Sequence, residues 1–117
     1  AKKNDNHAHI GFQHEGDEVR EFFNKFDNLF LCVGDRHWQY VSHVDDTNLW
    51  EFSCGPGADK HASGWRQSDL RPEHKFLRVK GGYLFGSVYE ENGTPKIKFE
   101  HRDVDGNVVN TEIFPKL

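Results

Sequence analysis

The stretch LFLCVGDRHWQYVSH, residues 29–43, decides how this chain is read. Leu29 to Val33 form an unbroken apolar run of the kind that fills a buried strand. Gly34 breaks the run, Asp35, Arg36 and His37 follow, and aromatic and β-branched sequence resumes at Trp38. A hydrophobic strand ending in Gly-Asp-Arg-His sets polar side chains at the carboxyl edge of a sheet, where open α/β folds gather ligands. Asp35 and His37, two positions apart beyond the strand end, can both point at one metal ion. The plainer alternative is a loop in which Asp35 pairs with Arg36 and His37 closes a turn.

Working outward, HEGDEVREFFNKF from His14 has Val19, Phe22, Phe23 and Phe26 at helical spacing. Glu15, Asp17 and Glu18 crowd its amino-terminal end, where the helix dipole favours them. The spacing predicts a helix over 15–26, stopped by Asp27 and Asn28, in front of the sheet that begins at Leu29. Residues 38–44 and 48–53 read as a strand pair joined by a turn at VDDTN. From Cys54 to Lys80 no period persists, which predicts a long loop on the same side as Asp35 and His37. Its Asp59, Lys60, His61 and His74 are further polar candidates. Beyond Gly82 the alternation returns in GYLFGSVYEE, KIKFEHRD and NVVNTEIF, separated by turns at NGTP and Asp105-Gly106, so residues 81–117 read as antiparallel strands.

Composition narrows the class. The 117 residues suit one domain, and 10 Phe with no Met point to an aromatic, β-rich core. A net charge of −4 without a cationic stripe argues against a nucleic-acid partner. No apolar run is long enough for a membrane span. Cys32 and Cys54 form no CxxC pair and read as small buried thiols. Asn92-Gly93-Thr94 is a glycosylation sequon on a turn.

The runs KNDNHAHIGFQHEGDEVREFF, CVGDRHWQYVS, LWEFSCGPGADKHASG and HKFLRVKGGYLFGSVYEENGTPKIKFEHRDVDGNVV together resemble the carboxyl-terminal part of alkaline phosphatase D-like metallophosphoesterases, of the calcineurin-like superfamily. Gly34-Asp35-Arg36-His37 occupies the place of the superfamily's last metal motif, Gly-His-x-His; His37 matches directly and Asp35 by position. The resemblance implies an α+β fold, the carboxyl-terminal portion of a calcineurin-like αββα sandwich, with mostly antiparallel strands and one short helix. It divides the chain into a helix–strand unit with the GDRH motif (1–53), the long loop (54–80) and the closing strands (81–117). It implies His37, Asp35, Asn6 and Asp5 as metal ligands, with Arg36 and His7 in catalytic roles. The ions would be divalent or trivalent, with iron, calcium, manganese and zinc all suited to Asp and His.

On this reading a metal-activated water hydrolyses a phosphate ester, whether monoester, diester or phospholipid. The superfamily's earlier motifs, Asp-x-His, Gly-Asp-x-x-Asp and Gly-Asn-His-Asp/Glu, do not occur here. The chain is therefore expected to be a fragment, inactive alone, whose partner is the amino-terminal part of the phosphatase domain. An open sheet edge would also permit a homo-oligomer. Family members are usually exported, which implies a periplasmic or secreted location. The alternative is a small non-catalytic β-rich binding module that keeps the architecture without the chemistry. A purely structural β domain explains the alternating strands but not GDRH at a strand end.

Overall fold

A computed structural model describes residues 7–116 of the chain. They form an α+β fold with two sheets and one short helix. A 3-10 turn at Ile10–Phe12 leads into helix α1, Gln13–Phe23. Strands β1 (Leu31–Val33), β2 (Gln39–His43) and β3 (Trp50–Cys54) follow. After a second 3-10 turn at Asp59–His61 come β4 (His74–Arg78), β5 (Gly82–Glu91), β6 (Thr94–Asp103) and β7 (Val108–Phe114). The first sheet has the order β1-β3-β2-β4 and the second β5-β6-β7. Every pairing is antiparallel except β1 with β3, where Leu31 lies opposite Glu51 and Val33 opposite Ser53.

The hairpins follow their turn chemistry. Glu91 pairs with Thr94, so the β5–β6 loop is the two residues Asn92 and Gly93, at φ 53° and 81°. A primed turn of this kind needs positive φ at both positions, which Asn tolerates and Gly adopts freely. At the β6–β7 turn, Asp103 Oδ1 accepts from the backbone N–H groups of Asp105 and Asn107.

One departure concerns the stretch 54–80, expected to be loop throughout. Its last part is β4, an edge strand that sets Leu77 opposite Tyr40 and Phe76 opposite Val41. Five residues are too few for alternation to register in a sequence, and the ladder with β2 decides their conformation. A second departure concerns α1. It is tied to the body by polar contacts, with Asn24 Oδ1 accepting from the Asn48 N–H at 2.7 Å and Arg20 reaching His7. The helix ends at Phe23, short of the expected Phe26, and these tethers leave Phe22 54% exposed on it and Phe26 40% exposed just beyond it. Cys32 is likewise exposed rather than buried, because β1 has a neighbour on one side only among the described residues.

The sheets meet over Val41, Phe52, Phe99 and Phe114, with Phe30, Trp50, Phe76, Leu84 and Ile97 packed around them. Alternation puts Val41 and Phe52 on the inner face of the first sheet, in register with each other. Two buried polar side chains cross the same interface. Gln39 donates from Nε2 to the Arg102 carbonyl on β6 at 3.0 Å and accepts from Arg78 Nη1 at 2.9 Å. His101, fully buried, bonds through Nε2 to the Ser53 carbonyl on β3 at 2.8 Å. The outer face of the first sheet carries a second cluster, Trp38, Tyr40 and Leu77, covered by Val33, Trp65 and Val79.

Candidate functional site

The carboxyl end of β1 delivers the turn 34–37. The Arg36 N–H donates to the Gly34 carbonyl at 2.8 Å, closing a turn in which Asp35 has φ 68°. That left-handed conformation is uncommon for a residue with a Cβ, although Asp tolerates it better than most, and such backbones cluster at functional sites. Asp35 and His37 are exposed and Arg36 is half-buried. Among the described residues no hydrogen bond or ion pair engages the side chain of Asp35 or of His37, so the plain Asp35–Arg36 pair is absent. Nor does the Arg36 guanidinium donate to any acceptor; its contact is with the Trp38 ring, 5.6 Å from the centroid.

His7 behaves differently. Its Nε2 lies 2.9 Å from Glu51 Oε1 and its Nδ1 lies 3.0 Å from Arg20 Nη1, which also donates to the His7 carbonyl at 2.6 Å. Arg can only donate, so Nδ1 accepts and the ring proton sits on Nε2, given to Glu51. Tyr40 donates its hydroxyl to the other oxygen of Glu51 at 2.5 Å. Burial alone would raise the Glu51 carboxyl, but hydrogen bonds from His7 and Tyr40 outweigh it and hold the group below its ordinary range. Burial and the adjacent carboxylate push the Tyr40 phenol well above its own. The network is saturated: both ring nitrogens of His7 are engaged, and it latches the amino-terminal segment onto β3 and β2. Asp5 and Asn6, expected beside it, lie outside the described residues.

The donor set bears on a metal. No three His, Cys, Asp or Glu side chains converge among the described residues. Asp35 and His37 supply suitable donor types but only two of them, so the described residues do not fit a resident ion by themselves. Of the remaining histidines, the rings of His9, His43, His74 and His101 have hydrogen-bond partners, whereas those of His14 and His61 have none among the described residues. His9 caps the first 3-10 turn by accepting from the Gly11 N–H, and His14 is exposed on α1. His74 accepts from the Arg71 N–H, and burial holds its imidazole below the ordinary value. Asp59 accepts from the Gly81 N–H, while Lys60 and His61 are exposed. The stretch 54–80 returns to the turn as expected, since the Ser63 N–H donates to the His37 carbonyl.

Sequence reasoning did not single out Glu51, Tyr40, Arg20 or Trp38, whereas Trp65 and Phe76 are the two aromatics expected to pin the long loop to the surface. A signal existed for Glu51, the one carboxylate in the otherwise apolar and small run WEFSC. No family model, no curated protein and no solved structure matches this chain.

Proposed function

We propose that the chain supplies one corner of the active site of a metal-dependent phosphoesterase, with the turn 34–37 facing the phosphate ester. The observation that carries this reading is the open valence of the turn. Arg36, with its guanidinium donors unclaimed among the described residues, stands between two exposed and unpaired side chains at the end of a parallel strand. A guanidinium fork matches two oxygens of a phosphate, and a half-buried one does so with less competition from water. Asp35 and His37 would contribute two donors to an ion, iron, calcium, manganese or zinc, that further residues complete. Asp5 and Asn6 are the candidates that the resemblance names within this chain. The unpaired side of β1 supports the same reading, because parallel strands normally lie inside a sheet, and the rest of the phosphatase domain would pair there.

The test is made in the longer protein that this reading requires, with p-nitrophenyl phosphate and bis-p-nitrophenyl phosphate as substrates. His37→Ala should lower activity by at least about 10–100-fold, the loss that follows even indirect damage to a metal site. Arg36→Lys should raise KM more than it lowers kcat, since a point charge replaces a two-toothed grip. Full activity of His37→Ala would refute the ligand role. Tight stoichiometric binding of a metal by the 117-residue chain alone would refute the shared site.

A further inference from the structure

Residues 63–65 lie one after another against His37 and Trp38. Ser63 gives its N–H to the His37 carbonyl at 3.1 Å. Gly64 passes so close over Trp38 that a Cβ there would sit 2.9 Å from the ring carbon Cζ3, and its φ of 90° suits glycine. Trp65 stacks on Trp38 with ring centroids 5.5 Å apart and planes 25° from parallel. The contacts continue at both ends. Arg36 lies 5.6 Å from the Trp38 centroid, and Arg71 lies 4.7 Å from the Trp65 centroid.

The stack is held from outside the turn. Trp65 donates from Nε1 to the Asp69 carbonyl at 2.8 Å, and the His74 ring meets it edge-on at 5.6 Å. Arg71 is matched by the Asp69 carboxylate, with two contacts of 3.3 Å. One terminal cation of the series Arg36–Trp38–Trp65–Arg71 is therefore paired, while the other, Arg36, feels the charge of Glu51 but makes no ion pair or hydrogen bond through its guanidinium among the described residues. Trp38 is only 7% exposed, so its ring cannot swing without unpacking the outer cluster.

We propose that the segment Ser63-Gly64-Trp65 is a positioning clamp that fixes the direction of Arg36 and the backbone of His37 for binding a phosphate group. The inference rests on the phosphate reading above and adds Gly64 and Trp65 to it as positioning residues. A long, flexible Arg loses rotamer freedom when it grips an oxyanion. Holding its guanidinium over an indole that is itself stacked removes much of that loss beforehand. Neither Gly64 nor Trp65 needs to touch the ligand.

The experiment uses the 117-residue chain and inorganic phosphate, following the Arg36 Nε–H and His37 ring signals by NMR. Trp65→Leu, which frees the Trp38 ring beneath Arg36, should weaken phosphate binding by up to about fivefold, the most that loss of the Arg36–Trp38 cation–π contact would cost, while amide protection in β2 and β3 stays unchanged. Trp65→Phe should recover part of the loss. Gly64→Ala, which removes no side chain but lifts the loop, should weaken binding similarly, and it replaces the Leu variant if that variant does not fold. Equal phosphate affinity and an unmoved Arg36 Nε–H signal in both loop variants would overturn the clamp while leaving the phosphate reading in place. If phosphate moves neither signal in the unsubstituted chain, the phosphate reading fails. The clamp, which is defined by that binding, then fails with it.

Discussion

Replacing His101 with alanine tests how the two sheets are held together. The ring is wholly buried, 5.1 Å from the Phe76 ring and near Phe52, and it is the side-chain partner of the Ser53 carbonyl. Emptying a core site of this size costs about 2–4 kcal/mol. A buried carbonyl left short of a donor adds about 1 kcal/mol, so urea denaturation should show a loss of about 3–5 kcal/mol. His101→Gln, whose amide can donate to the same carbonyl, should recover the smaller part.

The pH dependence separates the mechanisms further. Burial, reinforced by the Arg78 charge, holds the His101 imidazole below its ordinary value of 6.5, against the opposing pull of Ser53 and Glu112. The unfolded chain takes up this proton as pH falls through 6.5 and the folded chain does not. Stability is therefore full above that point and declines below it, by at most about 1.4 kcal/mol per pH unit for one proton. His74, held low in the same direction by burial, adds its own decline, which survives in the Gln variant. A cost below about 1 kcal/mol for His101→Ala, or identical pH profiles for His101→Gln and the parent, would refute the reasoning.

Three further outcomes follow from the same geometry. Tyr40→Phe removes one of the donors that keep Glu51 ionised, and urea titration should show a loss of about 1–2 kcal/mol. Glu51 is held low in the folded state, so its contribution is present above its ordinary value of 4.5 and lost as pH falls through the folded value; acid titration of Tyr40→Phe should show a smaller loss there. Gly93→Ala, at φ 81°, should cost about 1 kcal/mol without altering activity or phosphate binding, as measured by thermal unfolding and phosphate titration. Phe22→Ser on α1 and Phe26→Ser just beyond it, both exposed, should each change the stability of this chain by no more than about 0.5 kcal/mol, whereas Phe99→Ala should cost about 3–5 kcal/mol.

The parts of the fold that are local in origin could be read from the sequence. Asn92-Gly93 sets its own hairpin and therefore the register of β5 on β6, and Val41 and Phe52 fall on one face by simple alternation. What could not be read depends on partners distant in the chain. β4 exists because β2 offers it a ladder, and Phe22 on α1 stays exposed because Arg20 and Asn24 find His7 and Asn48. The turn 34–37 was legible as a break in a core strand, but the reach of Trp65 back to Trp38 was not, since 27 positions separate the two rings. Saturation was equally invisible. Sequence marks both His7 and His37 as site candidates, and only the structure distinguishes the one with both nitrogens engaged from the one with neither engaged among the described residues.

Gln39 has a consequence for where the turn stands. Faces built from phenylalanines can slide over one another at little cost, because dispersion has no direction. A hydrogen bond has one, and Gln39 directs its amide at the Arg102 carbonyl of the opposing sheet. It acts as an indexing pin, selecting a single stop among the many offsets that greasy surfaces allow. Since Gln39 comes two positions after His37, the carboxyl-terminal hairpins, which hold no candidate for chemistry, work as the jig against which Asp35, Arg36 and His37 are set.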